Sequence, residues 1–181
     1  MAKQRSGTVS WVAWGGIGLI VLTILLLLFG GPIINRPHRQ QRSVTTVCVN
    51  NLKSTALSLI MYADDNGGRL PVVAPGQEDT WVIAAAAYSP VVGVRWCPSD
   101  PQVGKIRDLL SGSATPAATF QQIRRRVGVA SSYRLNPKLS GAKLSDIKNA
   151  NTVVLLEETG DHHQGYHLVA YADGSAKALK K

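Results

Sequence analysis

The chain has 181 residues, 45% of them hydrophobic and only 6% aromatic, with 17 glycines, 9 prolines, 2 cysteines and a formal net charge of +9. That length suits one ordinary domain with a modest core. The composition excludes a disordered chain, a disulfide-framework toxin and collagen or solenoid repeats. The apolar residues are unevenly spread: Val9 to Ile34 contains no charged residue, and the rest of the chain after Ile34 reads as a basic soluble domain.

Residues 1–8 form a short basic N-terminus carrying Lys3 and Arg5. Residues 9–34 are predicted to be a transmembrane helix. Trp11 to Phe29 is an unbroken run close to the ~20 residues that a helix needs to cross ~30 Å of hydrocarbon. Trp11 and Trp14 sit at one end, where indoles favour the headgroup layer. The competing reading is a cleaved signal peptide, with Lys3 and Arg5 as its basic region. The run exceeds the usual length for that role, and Gly30-Gly31-Pro32-Ile33-Ile34 is a poor cleavage site, so a retained anchor is expected. Lys3 and Arg5 before the span nearly balance Arg36, Arg39 and Arg42 after it, which slightly favours a cytoplasmic C-terminus and does not settle orientation.

Residues 35–43 read as a basic juxtamembrane linker, with Pro32 and Pro37 marking a break. From Val44 a second helix is predicted. Val44, Cys48, Leu52, Thr55, Leu59 and Tyr62 recur at steps of three and four and form one mostly apolar stripe. Asn51, Lys53, Ser54 and Ser58 take the other faces, and Asn66-Gly67-Gly68 stops the helix. Thr80 is a candidate cap for a short helix over Trp81 to Tyr88, and Ser111 to Thr119 reads as a loop. Ser131 to Leu135 suggests a strand, and Ser145 a cap for a turn at Asp146-Ile147-Lys148. Thr152 to Leu156 is a strand by its β-branched content. His167 to Ala172 alternates and leads into Asp173-Gly174, a hairpin signal, with Ala176 to Leu179 returning beside it. The expected fold class is α+β: one long N-terminal helix packed on a small antiparallel β-sheet, with residues 44–181 as the exterior domain.

After the hydrophobic segment stand, in order, Cys48-x-x-Asn51-Leu52-Lys53 and Tyr62-Ala63-Asp64-Asp65-Asn66-Gly67-Gly68-Arg69-Leu70-Pro71. Trp81, Cys97-Pro98-Ser99-Asp100-Pro101 and Ser132-Tyr133-x-x-Asn136 come next. This set resembles pilin-like proteins. More narrowly it resembles the prepilin-type processing-associated family named for a His-x9-Asp-Gly signature, which His163 and Asp173-Gly174 fit. Leu57 to Pro71 is also similar to the major pseudopilin of type II secretion. The resemblance covers about residues 44 to 180. One feature departs from it: after Gly7-Thr8-Val9-Ser10-Trp11, Val12 stands where the family has a glutamate.

The resemblance implies a single-pass protein of the bacterial inner (cytoplasmic) membrane. Its N-terminus would lie inside, and its C-terminal domain in the periplasm, outside or in a surface filament. It implies a non-enzymatic structural subunit of a type II secretion or type IV pilus-like assembly. The expected partners are the lipid bilayer and further copies or other pilin-like subunits, with no small-molecule substrate and no required cofactor. In an exported domain Cys48 and Cys97, the only cysteines, are candidates for a disulfide worth ~4 kcal/mol by the chain-entropy model. Two reduced, buried thiols are the competing reading.

Three further groups carry chemistry. Asp64, Asp65 and Asn66 crowd oxygen ligands of the kind Ca²⁺ prefers into a Gly-flanked turn, though a solvated helix end explains them as well. His162, His163 and His167, with Asp161, Glu157, Glu158 and Asp173 near in sequence, are candidate metal ligands. No HExxH, nucleophile elbow or phosphate loop accompanies them, so catalysis is not expected. In the structural alternative His163 bonds a backbone carbonyl or Asp173 and pins the hairpin. Finally, Arg124, Arg125 and Arg126 form a basic cluster suited to DNA or another anionic polymer, against the alternative of a solvated face.

Overall fold

The computed structural model describes residues 19–25, 27, 36–77, 79–89, 91–111 and 116–181, with backbone alone for 36–42 and 116–117. The expected N-terminus 1–8 and most of the expected membrane segment 9–34 lie outside the described residues. Residues 19–25 are helical. Among the described residues no helix is long and apolar enough to cross a membrane. The chain divides into two compact units, Met1–Arg42 and Ser43–Lys181, and the second contains the hydrophobic core.

Helix α1 spans Arg36–Asp65, 30 residues. It begins inside the segment expected to be a linker, so Pro37 does not break it. In a first turn a proline forfeits only an amide that has no acceptor in the helix. From Cys48 onward one stripe is sequestered: Cys48, Leu52, Ala56, Leu59 and Ala63 are all fully buried, with Thr55 and Ser58 beside them. Thr55 Oγ1 lies 2.8 Å from Asn51 O and 3.0 Å from Val94 O, so this buried hydroxyl is satisfied. The helix ends as its glycines predict. Gly68 has φ +80°, and its amide donates to Ala63 O at 2.7 Å, closing a Schellman-type turn.

Four strands complete the fold: β1 Tyr133–Leu135, β2 Val154–Glu158, β3 Tyr166–Tyr171 and β4 Ala176–Lys180. They form one antiparallel sheet in the order β1-β2-β3-β4. The architecture is therefore α+β with a small four-stranded sheet. Leu155, Leu156, Leu168 and Ala170 of the sheet share one core with the α1 stripe and with Trp81, Trp96, Phe120 and Ile123. Edge strand β4 carries exposed Lys177 and Lys180, which discourage pairing with a further strand.

Between α1 and the sheet the structure corrects several expectations. Thr80 does not cap the helix at Trp81–Ala84 (α2), which passes into a 3-10 turn at Ala85–Tyr88. Its own backbone is already helical, and its hydroxyl donates to Gln77 O at 2.8 Å. Helix α3 covers Val103–Leu110, and helix α4 covers Pro116–Val127, so its first four residues fall in the expected Ser111–Thr119 loop. Pro116 occupies the first helical position, which suits it, and Phe120 and Ile123 anchor α4 in the core. Ser145 lies within a 3-10 turn at Leu144–Asp146 and bonds the Asp146 side chain instead of an amide.

Candidate functional site

The Cys48–Cys97 disulfide joins α1 to the loop that precedes α3, with Cα atoms 5.0 Å apart. Both residues are fully buried. The surrounding sequence builds its cradle. Cys97-Pro98-Ser99-Asp100 is a tight turn in which Asp100 N donates to Cys97 O at 2.8 Å. The Asp100 carboxylate then accepts from Gln102 N at 2.8 Å and from the Ser132 hydroxyl at 2.7 Å. Ser132 Oγ in turn accepts from Cys97 N at 3.1 Å. The next residue, Tyr133, opens β1 and donates its phenol to Cys48 O at 3.2 Å. Burial, reinforced by the Glu158 and Asp100 charges, raises the Tyr133 pKa and keeps this donor protonated.

His163 completes the knot. It is 1% exposed, with Nε2 3.2 Å from Cys97 Sγ and Nδ1 3.1 Å from Thr45 Oγ1 on α1. Its Nε2 also lies 3.5 Å from Glu158 Oε1 at the end of β2. Glu158 is the anomaly of the fold: its side chain is buried, and neither carboxylate oxygen has a hydrogen-bond partner. Burial pushes its carboxyl up to about 7, with the Asp100 charge adding to the effect. Burial also lowers the His163 pKa, followed by the neighbouring His162. Both shifts have the same cause, burial, and each favours the neutral form of its group.

The three histidines do not converge. His162 Nε2 lies 3.6 Å from Asp100 Oδ2, while His167 Nε2 lies 3.6 Å from Glu157 Oε2 on the more open side of the sheet. His162 and His163 stand at the bend before the turn at 164–165, and His167 lies beyond it in β3, so each meets a different carboxylate. Among the described residues, the group with metal-ligand proximity is instead Cys48, Cys97 and His163, whose ligand atoms all lie within 4.8 Å of one another. Asp64, Asp65 and Asn66 are exposed at the end of α1. Asp65 accepts from Tyr88 OH at 3.0 Å, and Asn66 Nδ2 donates to Tyr62 O at 2.8 Å.

Nor does His163 bond Asp173. The Asp173 carboxylate instead accepts from the Ser175 amide at 2.9 Å and hydroxyl at 2.7 Å, shaping the β3–β4 turn. The adjacent Gly174 is buried with φ +81°, and a Cβ there would stand 2.9 Å from Leu57 Cδ2 and 3.2 Å from Ile60 Cδ1. The two ends of the His-x9-Asp-Gly segment therefore grip α1 at two places: His163 beside Thr45, and Gly174 beside Leu57 and Ile60. Twelve helical residues, about 18 Å, separate Thr45 from Leu57.

The basic cluster is distributed around α4 and does not form one face. Arg124 Nε pairs with Asp79 at 3.4 Å, Arg126 grips both Asp108 oxygens at 2.8 Å, and Arg125 is exposed. Consecutive helical residues diverge by about 100°, and arginines in a last turn also suit the helix dipole. A cavity of about 320 Å³ lies near Arg124 and Arg134, lined also by Asp79, Ser131, Tyr133 and Thr159. Arg134 is paired with Glu157, so the arginines there face acids.

Sequence reasoning missed Arg95, which is fully buried. Its guanidinium donates to Ala85 O at 2.7 Å and lies 5.0 Å from the Phe120 ring, and burial lowers its pKa to about 10. Nothing in Val94-Arg95-Trp96 signals this, because its acceptors Ala85 O, Ser89 O and Ser58 Oγ belong to other elements that the fold brings around it. The unpartnered Glu158 was equally hidden within an ordinary strand. Compared with protein-family models, with curated proteins and with solved structures, the chain matches none.

Proposed function

We propose that this protein is a membrane-anchored, pilin-like structural subunit of a type II secretion or type IV pilus-like assembly, without catalytic activity of its own. The observation that carries the reading is α1. It follows the charge-free Val9 to Ile34 segment in sequence and lends one stripe to the domain core, while Val47, Leu57 and Met61 remain 43%, 43% and 51% exposed. Apolar side chains left outside on a long helix suit packing against neighbouring copies or related subunits. The motif residues of the resemblance add support, since Cys48, Cys97, Asp100, Ser132, Tyr133 and His163 meet in one knot around the disulfide. Binding of DNA or another anionic polymer is less favoured, because Arg124 and Arg126 are already paired with acids.

The test is made in the native membrane. The full chain should resist alkaline extraction and give a ladder of cross-linked species. The double substitution Val47→Glu, Met61→Glu, at two exposed positions outside both grips on α1, should abolish that ladder while the protein remains folded and membrane-bound. Release by alkali, or an unchanged ladder in the double variant, would sink the reading. The intact mass of the extracted protein then separates two versions of it. Loss of Met1 to Gly7 with a gained methyl group places it on the prepilin processing route despite Val12. A full-length mass makes it a static anchor.

A further inference from the structure

Glu158 is the feature that the assembly role leaves unexplained. A buried carboxylate without any hydrogen-bond donor is costly, and folded proteins rarely retain one. Its oxygen Oε1 lies 3.5 Å from His163 Nε2, and the same nitrogen lies 3.2 Å from Cys97 Sγ. Around a tetrahedral Zn²⁺ with bonds of about 2.0–2.3 Å, neighbouring donors stand about 3.4–3.8 Å apart. The distances from His163 to Cys97 and to Glu158 are close to those of ligands sharing one ion, and Glu158 meets the group through His163. Cys48, Cys97 and His163 offer ligand atoms within 4.8 Å of each other, all from buried residues.

We propose that Cys48 and Cys97, when reduced, join His163 and Glu158 as the four ligands of a buried Zn²⁺ site, so that one position in the fold holds either a disulfide or a metal ion. Two thiolates, an imidazole and a carboxylate are a borderline-soft set that suits zinc and disfavours Ca²⁺ and Mg²⁺. Thr45 stands at Nδ1, where it fixes the imidazole and leaves the Nε2 lone pair for the metal. Tyr133 and Ser132 hold the backbones of Cys48 and Cys97 from outside the ligand shell. The change balances with a dithiol as reductant. The S–S bond breaks, two electrons and two protons pass to the cysteine sulfurs, and the dithiol leaves as its own disulfide. Each cysteine then releases its proton to solvent as Zn²⁺ binds. Two thiolates and one carboxylate against the dication leave a residual charge of −1, and Glu158 acquires the partner it lacks. The inference does not depend on the assembly role proposed above.

The test uses the full chain in detergent, reduced with a phosphine, which becomes its oxide, and then titrated with Zn²⁺ or Co²⁺. One equivalent should bind to the reduced protein, and less than a tenth of that to the oxidised protein. The Co²⁺ form should show thiolate charge-transfer absorption and the visible bands of tetrahedral cobalt. Glu158→Gln should weaken binding at least tenfold while keeping the thiolate band, and His163→Ala should weaken it further. Should His163→Ala fail to fold, the wild-type titration and Glu158→Gln still decide. No metal uptake by the reduced wild type, or uptake unaffected by Glu158→Gln, would overturn the proposal.

Discussion

The two grips on α1 differ in kind. Around Cys48 the helix is held by a covalent bond and a chain of buried polar groups, with His163, Ser132, Tyr133 and Asp100 drawn from three separate parts of the sequence. At Leu57 and Ile60 it is held by shape alone, where the Gly174 backbone fits close against two aliphatic side chains. The first grip contains groups that respond to redox state and pH, and the second contains none.

The largest effect should come from breaking the covalent grip. Replacing Cys48 and Cys97 by alanine removes a closure of 49 residues, and the chain-entropy model gives a loss of about 4 kcal/mol in a denaturant titration of the folded domain. An unchanged midpoint would mean that the polar network alone holds this end.

Next, Gly174→Ala adds strain at a left-handed backbone position and a 2.9 Å approach to Leu57, and should cost about 2–3 kcal/mol. In a Leu57→Ala background the steric part disappears, so the added cost of Gly174→Ala should fall to about 1 kcal/mol. Equal costs in both backgrounds would show that backbone conformation, and not the close approach, decides at this grip.

A third prediction separates the grips by pH, in disulfide-bonded protein kept free of metal. The folded-state pKa of Glu158, about 7, lies above its usual 4.5, so the folded state keeps this proton where the unfolded chain has lost it. The group has no effect on stability below about pH 4.5. Stability then falls as pH rises from 4.5 to 7, by at most about 3 kcal/mol. Glu158→Gln should flatten that decline when unfolding is followed at pH 5 and pH 8, whereas Gly174→Ala should leave the slope alone. His163 has the opposite sign: its lowered pKa costs stability as pH drops below the usual imidazole range near 6.5. A Glu158→Gln profile as steep as wild type would place the pH dependence elsewhere. The smallest effect lies outside both grips. Arg126 and Asp108 are exposed, so Arg126→Ala should leave the denaturation midpoint nearly unchanged, and any small shift should vanish in high salt.

Much of the frame was readable from local pattern. The helix through Val44 to Tyr62, its stop at Gly67-Gly68 and the Asp173-Gly174 turn are short-range signals that the structure contains, although the buried stripe also takes in Ser58, expected on another face, and leaves Val44 and Tyr62 half-buried. Strand β2 begins at Val154 and not at Thr152, because Thr152 is drawn into a turn with Asn149. Helices α3 and α4 escaped for the opposite reason. Helix α3 is only eight residues long and carries Gly104, and α4 opens on Pro116-Ala117-Ala118-Thr119, which resembles loop; the tertiary burial of Ile106, Phe120 and Ile123 outweighs both.

By itself, then, the sequence determined the α+β class, the long amphipathic helix, the closing hairpin and a single cysteine pair. These rest on periodicity and turn chemistry within a few residues. Only the tertiary structure decided that His163 turns to Thr45 and Cys97 instead of Asp173, that Glu158 is buried without a hydrogen-bond partner, and that the three arginines of α4 are divided. Those outcomes join groups 118 and 66 residues apart. At such separations the packing of the whole core, and not any local preference, sets which polar groups meet.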